Sequence, residues 1–431
     1  MFLLVALSFT VGARADKPAR LELDASAFTR EALVGRFDGN GDGSLSSEER
    51  KELREAFGGV DVPMLPAIPH RYGLAESLGH ALWSKLQSMD NTPQDNPITD
   101  AGAALGRVLF YDRQLSRNNT IACASCHHQQ WGFSDPRRFS VGFMGRRTGR
   151  NAMGLDNLRF TMLRGSNPGF FWDERAATLE DQVLMPIQDE VEMGMKLGGL
   201  EVKLGGLPYY PALFEAAFGA REVTRERIAK AVAQFMRAMT SFDSRFDRAA
   251  AAAGDDYAQP FSDFTAEENL GKSLFINGVG GVGELGCAHC HIPPTFGMPK
   301  SFNNGLDLNY KDQGLGARDV SSNDPFTPTN DGKFKAPSLR NIALTAPYMH
   351  DGRLATLEDV VEHYSSGVHP HVNVGLAFDE QEDENAGNAN TFGFRLTAAQ
   401  KSALAAFLKT LTDEALISDP RFSDPFVRLD D

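Results

Sequence analysis

The sequence predicts a mainly α-helical protein with two similar domains side by side, preceded by a small helix–loop–helix segment. The motif Cys-x-x-Cys-His occurs twice, beginning at Cys123 and at Cys287, and each copy follows a helix-like stretch. The two halves therefore look like diverged copies of one unit. Strand patterns are sparse, whereas LTAAQKSALAAFLKTL, residues 396–411, has helical periodicity and a Thr397/Gln400 capping box.

The first residues, MFLLVALSFTVGARA, have the pattern of a secretory signal peptide. An apolar core from Phe2 to Val11 precedes Ala13-Arg14-Ala15, a small-x-small cleavage site. A trimmed start and a membrane anchor are the alternatives, but the apolar run is too short to cross a bilayer comfortably, and no other segment approaches that length. We therefore expect a signal peptide over residues 1–15, cleavage after Ala15, and an exported or periplasmic protein without a membrane span.

The segment DGNGDGSLSSEE, which begins at Asp38, has the pattern of an EF-hand calcium loop. Asp38, Asn40 and Asp42 would supply side-chain oxygens to the ion. Ser44 would supply its carbonyl oxygen, and Glu49 would close the site with both carboxylate oxygens. A glycine stands at the sixth position, where such a loop turns sharply. The alternative is a solvated acidic loop, because EF-hands usually pair and the sequence contains no second loop.

Composition also indicates the domain boundaries. The charged residues 16–60 form the EF-hand segment, and the Pro-rich DVPMLPAIP, residues 61–69, is a linker. The Ala-rich AAAAAGDDYAQP separates a first domain, residues 70–250, from a second, residues 251–431. The chain has 431 residues, of which 42% are hydrophobic, which is enough for two cores. Its formal net charge of −14 argues against a nucleic-acid partner.

Each Cys-x-x-Cys-His motif carries the groups that covalent attachment of haem c requires. Two cysteines on one helical turn form thioethers with the vinyl groups, and the adjacent His places an imidazole under the iron. A zinc site, a thioredoxin-like dithiol or a disulfide would be the alternatives. The two motifs use all four cysteines of a chain with a signal peptide, which favours haem. We assign the two haem groups to Cys123, Cys126 and His127, and to Cys287, Cys290 and His291.

Three further segments resemble the di-haem bacterial cytochrome c peroxidase and MauG family in their order and spacing. They are LGRVLFYDRQLSRNNTIACASCH, FFWDERAATLEDQVLMPIQDEVEMG and FKAPSLRNIALTAPYMHDGRLATLEDVVEHY. The resemblance, which runs from about residue 96 to residue 411, implies two cytochrome-c-like haem domains with different roles. The haem on His127 would react with hydrogen peroxide, and the haem on His291 would be a low-spin electron reservoir.

The resemblance also implies the residues of the peroxide pocket. Gln182, Pro186 and Glu192 stand at the family's spacings, and Trp172 stands where the family has a Trp between the haems. Glu192 could move a proton between the peroxide oxygens if its pKa lies near the working pH. Gln182 could hydrogen-bond peroxide without ionising. The alternative is that Trp172 only fills an interface and that Glu192 is a surface carboxylate, but the joint spacing favours the pocket.

The sequence departs from the conventional peroxidases at the first haem. Sixteen residues after the first proximal His, those enzymes carry a Gly-His pair whose His blocks the resting iron. Here the pair is Gly142-Phe143, and phenylalanine cannot ligate iron. We therefore expect a site that is open without prior reduction, as in MauG-like members. Met144 and His128 are the substitutes to consider, although a surface or packing role is expected for each.

The distal ligand of the second haem is Met in conventional peroxidases and Tyr in MauG. Tyr364 of VVEHYSSG stands at that place, with Met349 as the alternative and His363 as a more distant one. A tyrosinate would stabilise oxidised iron more than a thioether would. MauG also has a surface Trp six positions before the second proximal His, where this chain has Leu285. Methylamine dehydrogenase is therefore not supported as a substrate.

Members of this family hold a calcium ion between the haem domains. The resemblance implies that Thr345 and Pro347 supply carbonyl oxygens and that Asn151 supplies a side-chain oxygen, with Asn157 as the fallback. Conventional members are commonly homodimers, so a homodimer is also an expectation.

These observations together predict an exported, calcium-binding di-haem c peroxidase. It would reduce hydrogen peroxide to water with electrons from a cytochrome c or a cupredoxin, without reductive activation. One alternative is a MauG-like oxidase of a protein or organic substrate, which Phe143 and Tyr364 favour. Another is an electron-transfer protein without an open haem.

Overall fold

The computed structural model of the protein describes residues 23–73, 80–161, 169–279, 286–318, 329–374 and 392–428. The predicted signal peptide and Leu285 lie outside these residues. The described chain is mainly helical, which confirms the predicted fold class. Its helices are α1 (Arg30–Phe37), α2 (Ser47–Ala56), α3 (His80–Leu86), α4 (Asp100–Tyr111), α5 (Leu179–Gln188), α6 (Leu197–Gly205), α7 (Tyr210–Phe218), α8 (Arg225–Ala238), α9 (Arg245–Ala252), α10 (Ala266–Asn277), α11 (Leu357–Glu362), α12 (Ala398–Lys409) and α13 (Glu414–Ser418).

Short strands join parts of the chain that are distant in sequence. β1 (Val62–Pro63) pairs antiparallel with β4 (Phe426–Val427), and β2 (Ser301–Phe302) pairs antiparallel with β3 (Phe334–Lys335). Within the described ranges, no helix is both long and apolar enough to span a bilayer.

The two haem domains repeat one helix pair, α4 with α8 in the first and α10 with α12 in the second. A β-carbon added to Gly106 of α4 would lie 2.0 Å from the carbonyl oxygen of Ala231 in α8. A β-carbon added to Gly271 of α10 would lie 1.9 Å from the carbonyl oxygen of Ala403 in α12. Glycine therefore allows the same close contact between helix backbones in both halves.

The connection that follows each haem motif is also repeated. Asn157 and Asn341 both have a φ of 57°, and each begins a short 3₁₀ turn. The backbone N–H of Asn157 bonds the carbonyl of Met239 just after α8, and that of Asn341 bonds the carbonyl of Leu411 just after α12. The left-handed conformation, which Asn tolerates better than most residues, thus ties each connection to its helix pair.

The first core contains residues from both ends of the described chain. Phe28, just before α1, contacts the rings of Phe57 and Tyr209 at centroid distances of 5.8 and 6.1 Å. Phe422, near the other end, contacts Phe133 and Phe235 at 6.5 and 6.0 Å. The EF-hand segment and the tail therefore both pack on the first domain.

This packing modifies the predicted second domain, residues 251–431. Leu416, Phe422 and Phe426 belong to the buried cluster of the first domain, and the side chain of Gln129 donates to the carbonyl of Leu416 at 3.0 Å. The chain thus leaves the second domain after α12 and returns to the first. Composition gave no sign of this return, because it depends on contacts between residues far apart in the sequence.

Candidate haem sites and peroxide pocket

Both proximal histidines are held in the same way. A short 3₁₀ turn begins at each first cysteine, Cys123–Ser125 and Cys287–His289. The Nδ1 atom of His127 lies 2.8 Å from the carbonyl oxygen of Phe133, and that of His291 lies 3.0 Å from the carbonyl oxygen of Phe296. If Nδ1 carries the proton and donates it to that carbonyl, the Nε2 lone pair is free for an iron. Burial lowers the pKa of both imidazoles, which keeps them neutral.

The second motif opens into a cavity whose mainly apolar lining suits a haem. Cys287, Cys290 and His291 line one part of it, and apolar side chains such as Phe275 and Leu408 line its walls. Both thiols and the imidazole therefore face one apolar space, as covalent attachment and axial ligation require.

Two candidate distal ligands share one neighbour in this cavity. The Tyr364 hydroxyl and the Met349 sulfur each lie 3.4 Å from the side-chain nitrogen of Asn304. Burial raises the pKa of Tyr364 to about 12, although the hydrogen bond from Asn304 opposes this shift. The Nε2 atom of His363 lies 3.0 Å from the Asn304 carbonyl oxygen, so this ring bonds the backbone. Tyr364 itself belongs to a π-helical turn, His363–Gly367, a local feature that often marks functional sites.

Glu192 lies in the turn after α5, close to the first haem motif. Its charge contributes to raising the pKa of the Cys123 and Cys126 thiols, an effect of proximity that adds to their burial. Burial and the carboxylate of Asp189 raise the pKa of Glu192 itself to about 7, while Arg175 opposes this shift. A half-buried carboxyl with that pKa can both accept and return a proton near neutral pH.

The Gly142-Phe143 pair packs onto the turn that carries Glu192. The backbone N–H of Phe143 donates to the Glu192 carbonyl oxygen at 2.9 Å. Its ring lies against Gly194, where an added β-carbon would come within 2.4 Å of the ring. Phe143 thus lies against the turn that carries Glu192 and has no group that can bind iron. Met144 is 67% exposed, which agrees with the surface role expected for it.

The repeat shows how the two pockets differ. Thr178 caps the N-terminus of α5, and Thr356 caps that of α11. Eight residues after these caps stand Pro186 in the first copy and Tyr364 in the second. Proline has no group that can bind iron, whereas a phenol has one, so these equivalent positions differ in whether they could supply an iron ligand. Gln182, half-buried on α5, has the apolar Val360 as its counterpart.

Trp172 comes from the first copy but lines the cavity of the second haem motif. Its indole N–H donates to the carbonyl oxygen of Asn151 at 2.9 Å, and its own carbonyl accepts from the N–H of Lys335 at 2.8 Å. The side chain is therefore held between the domains, as a stepping stone for electrons would be.

This same cavity is also lined by the residues that are expected to bind the interdomain calcium. They are Asn151, Thr345 and Pro347. The amide nitrogen of Asn151 lies 3.3 and 3.2 Å from the carbonyl oxygens of Arg137 and Arg138. The fallback, Asn157, uses its amide nitrogen and oxygen for Ser241, at 3.1 and 2.9 Å. These bonds give Asn157 a structural role and favour Asn151.

The predicted EF-hand loop connects α1 to α2. Its side-chain oxygens accept backbone N–H groups of the loop: Asp38 from Gly43 at 2.8 Å, and Glu49 from Gly39 at 2.7 Å. Gly43 has a φ of 81°, the conformation that the sharp turn requires. Across the residues that the structure describes, no group of three or more His, Cys, Asp or Glu side chains converges as a metal site. The loop therefore has the length and the turn of an EF-hand, but its carboxylates do not converge on one ion position.

Four contributors to these sites were missed from the sequence. The carbonyls of Phe133 and Phe296 could have been inferred, because a phenylalanine follows each proximal His by six or five residues. The side chain of Lys335 is buried and donates to the carbonyl of Gly169 at 2.8 Å. Its backbone N–H donates to the carbonyl of Trp172. Nothing in the sequence marks Asn304, whose contacts depend on the tertiary structure.

Comparisons with known proteins agree with this geometry. A family model described as di-haem cytochrome c peroxidase matches residues 100–256 and 265–419. The chain is 32% identical over 355 residues to the methylamine utilization protein MauG of Methylorubrum extorquens, covering 81% of this chain and 86% of that protein. It is 32% identical over 315 residues to the cytochrome c551 peroxidase of Nitrosomonas europaea, covering 72% and 80%.

Solved structures are also similar. A MauG-like protein associated with microbial copper homeostasis has 34% sequence identity and a TM-score of 0.63, and the match covers 82% of this chain and 99% of that one. The diheme peroxidase BthA from Burkholderia thailandensis E264 has 24% identity and a TM-score of 0.58, covering 77% and 91%, which supports the fold alone.

Proposed function

Because this chain belongs to the di-haem cytochrome c peroxidase family and is a peroxidase-type oxidoreductase with two haem c groups, we propose that it reduces hydrogen peroxide to water with electrons from a small redox protein. We further propose that the form with both irons ferric is already active. The observation that carries the proposal is the asymmetry of the repeat, with Pro186 in the place that Tyr364 takes in the second copy.

When bound, each haem supplies a redox-active iron, at which peroxide reacts in the first pocket and electrons are held in the second. Glu192 takes the proton from the inner peroxide oxygen and returns it to the outer oxygen, which leaves as water. Gln182 donates a hydrogen bond to the peroxide and stays neutral. Each peroxide consumes two electrons, from two reduced donor proteins, and two protons, and it yields two waters.

In this proposal Tyr364 would, with His291, hold the iron of the second haem, and Trp172 would carry electrons between the two sites. The support for Tyr364 is its position in the π-helical turn, where it lines the cavity of the second haem motif, and the hydrogen bond that Asn304 can donate to it. Met349 shares that amide and remains the alternative ligand. The support for Trp172 is its position, since it belongs to the first domain and lines the second cavity.

Two calcium ions belong to the same proposal. One binds the loop 38–49 through Asp38, Asn40, Asp42, Ser44 and Glu49, after a closure that brings the carboxylates together. The other binds Asn151, Thr345 and Pro347 between the domains. Calorimetric titration of the calcium-free holoprotein should give two binding events, and a single one would exclude one of these sites.

Export is also part of the proposal, and its support is the pattern of residues 1–15. The mature protein should begin at Asp16, which N-terminal sequencing would test. Light scattering during size-exclusion chromatography would test the homodimer expected from conventional relatives.

A MauG-like oxidase of a protein or organic substrate is the second candidate function. The 34% identity to a MauG-like protein of known structure favours it, together with a tyrosine in the second pocket. Slow turnover with every small redox protein tried, despite a fast reaction with peroxide, would support this candidate over the first.

Rapid mixing with hydrogen peroxide tests the main proposal. The diferric protein and the half-reduced protein are each mixed with peroxide, and the absorption of both haems is followed. A fast spectral change from the diferric form is expected. A change only after half-reduction would mean that another residue blocks the first iron, and no change in either form would contradict a peroxidase.

A further inference from the structure

Two adjacent tyrosines share one buried carboxylate in the core of the first domain. Tyr209 and Tyr210 lie at the start of α7, and their hydroxyl groups donate to the same oxygen of Asp112, Oδ2, at 2.8 and 2.7 Å. Both phenols are fully buried, and Asp112, which follows α4, is 4% exposed. The centroids of the two rings are 4.7 Å apart. These three side chains form one unit, which we call the tyrosine–aspartate site.

The hydrogen bonds make Asp112 a proton acceptor for the two phenols. Its other oxygen, Oδ1, accepts the backbone N–H of Gln114 at 2.7 Å, so three donors surround the carboxylate, as they would an ionised one. Burial raises the pKa of Asp112, and the hydrogen bonds and the charge of Arg428 oppose this shift. Burial and the charge of Asp112 raise the pKa of both phenols well above the ordinary value. The phenols therefore stay protonated at rest, and the carboxylate can take the proton of either one.

The tyrosine–aspartate site lies beside the attachment point of the first haem. The 3₁₀ turn that begins at Cys123 packs on α4, and Cys123 lies against the buried core that contains both tyrosines. The charge of the Cys123 thiolate contributes to the raised pKa of Tyr210, which is an effect of proximity. Cys123 would carry one thioether of that haem. The tyrosines are therefore near the haem at which peroxide reacts in the proposed function.

We propose that the tyrosine–aspartate site is a redox site that stores one oxidising equivalent of the first haem when no electron donor is present. The inference rests on the proposed function, because peroxide must first oxidise that haem. One phenol gives an electron to the oxidised haem and its proton to Asp112, and it becomes a neutral tyrosyl radical. The O–H bond of the phenol breaks and an O–H bond to the carboxylate forms, so the buried site never carries a positive charge.

This role leaves the electron path of the proposed function unchanged. Electrons from the donor protein still arrive by way of the second haem and Trp172. An arriving electron reduces the radical, and the proton returns from Asp112 to the phenol. The tyrosine–aspartate site therefore acts only while those electrons are lacking.

The rings around the two tyrosines favour storage over onward transfer. The ring of Phe28 lies 6.1 Å from that of Tyr209, and the ring of Phe214 lies 6.0 Å from that of Tyr210. A phenyl ring is much harder to oxidise than a phenol, so the radical does not spread to these neighbours. The complete burial of both phenols also keeps it away from solvent.

Electron paramagnetic resonance tests the proposal. The diferric holoprotein is mixed with hydrogen peroxide without a donor, frozen at intervals and examined for an organic radical, while the absorption of both haems is followed in parallel. The variants are Tyr209→Phe, Tyr210→Phe and the double variant. Tyr111→Phe is the matched control. Tyr111 is buried in the same core, but its hydroxyl donates to the carbonyl of Phe422 at 2.6 Å, which is too weak a base to take the proton.

We expect a tyrosyl radical in the parent protein and in Tyr111→Phe, with a signal that narrows when ring-deuterated tyrosine is incorporated. The double variant should lose this signal, and each single variant should retain part of it. A reduced donor protein, added before peroxide, should prevent the signal from accumulating. A tyrosyl signal of full size in the double variant would overturn the proposal, as would a radical that narrows only with deuterated tryptophan.

The position of the proton is a second readout, which a structural role of the hydrogen bonds would not change. Infrared difference spectra should show the C=O stretch of a protonated carboxyl that appears together with the radical. The band should be missing in the double variant. A tyrosyl radical that forms without this band would mean that the proton leaves by another route, and it would overturn the part assigned to Asp112.

Failure of the tyrosine–aspartate site can be told apart from failure of the proposed function. If the haem absorption does not respond to peroxide, the peroxidase and the tyrosine–aspartate site are both contradicted. If the absorption responds but no tyrosyl radical forms, the peroxidase stands and the tyrosine–aspartate site is overturned. All variants should retain the haem spectrum and the thermal midpoint of the parent protein, which excludes misfolding as the cause of a lost signal. The isotope experiment uses the parent protein and does not depend on any variant.

Discussion

The indole nitrogen of Trp172 lies 2.9 Å from the carbonyl oxygen of Asn151, to which it donates a hydrogen bond. This bond connects the expected path for electrons to the residue expected at the interdomain calcium. Calcium bound at Asn151 would restrain the same backbone that holds the indole. The position of Trp172 would therefore depend on that ion.

Replacing Trp172 by Phe should slow electron exchange between the two haems. The substitution keeps an aromatic ring but removes the indole donor, so the ring loses its anchor on Asn151. After mixing with peroxide, the first haem should respond as before, and the second should respond roughly tenfold more slowly, since about 1.4 kcal/mol of barrier corresponds to that factor. Stopped-flow absorption at both haems measures this.

Trp83→Phe is a matched control for that experiment. Trp83 lies in α3 next to the guanidinium of Arg159, 5.7 Å from the ring centroid. The Trp83→Phe substitution should leave the response of both haems to peroxide unchanged. Equal slowing in the two variants would contradict the role proposed for Trp172.

The reaction with peroxide should depend on pH through Glu192. Because its pKa is about 7 and the ionised form accepts the proton, the rate of the first-haem reaction should rise as pH increases through 7. Glu192→Gln should lower this rate roughly 100-fold and abolish the inflection. The exposed Glu190→Gln is the control and should keep both the rate and the inflection.

The same carboxyl has a predictable effect on stability. Its pKa in the folded state lies above the ordinary value of 4.5, so the folded protein binds the proton more tightly than the unfolded chain. The stabilisation is therefore complete below pH 4.5 and is lost as pH rises toward 7. Denaturant unfolding of wild type and Glu192→Gln should show the wild type losing stability relative to the variant across this range. A relative gain would indicate that the pKa is lowered instead.

The distal ligand of the second haem can be identified by a pair of substitutions. Tyr364→Phe should change the absorption spectrum of the second haem and raise its reduction potential, because an anionic ligand that stabilises the oxidised iron is lost. Met349→Leu, of similar volume, should change neither. The reverse pattern would make Met349 the ligand. Asn304→Leu should lower the potential, since it removes a hydrogen bond that draws charge from the phenolate; spectroelectrochemical titration measures all three.

Calcium should stabilise the EF-hand segment through Glu49. At 100 times the dissociation constant, a site that exists only in the folded protein contributes about 2.7 kcal/mol, so the thermal midpoint should rise when calcium is added. Glu49→Gln should remove much of this rise, whereas the exposed Glu48→Gln should retain it. Because Glu49 also accepts the N–H of Ser46 at 2.8 Å, each variant is compared with itself in chelator.

Local features of this fold were predictable from the sequence, and distant contacts were not. The predicted capping box of α12 is formed, with the Thr397 N–H donating to the side chain of Gln400 at 2.8 Å, because a cap involves residues only three apart. The proximal histidines follow from a five-residue motif for the same reason. The contact of Asn304 with Tyr364 joins residues 60 positions apart, so no local pattern encodes it.

Because the chain after α12 packs on the first domain, the second domain cannot simply be replaced by that of a relative. A chimaera joined after residue 250 would replace Phe422 and Phe426 along with the second haem pocket, and it would thereby alter the core of the first domain. Transplanting the second pocket without this damage requires two junctions, one before α9 and one between α12 and α13. The second haem unit is in this sense an insertion within the first domain.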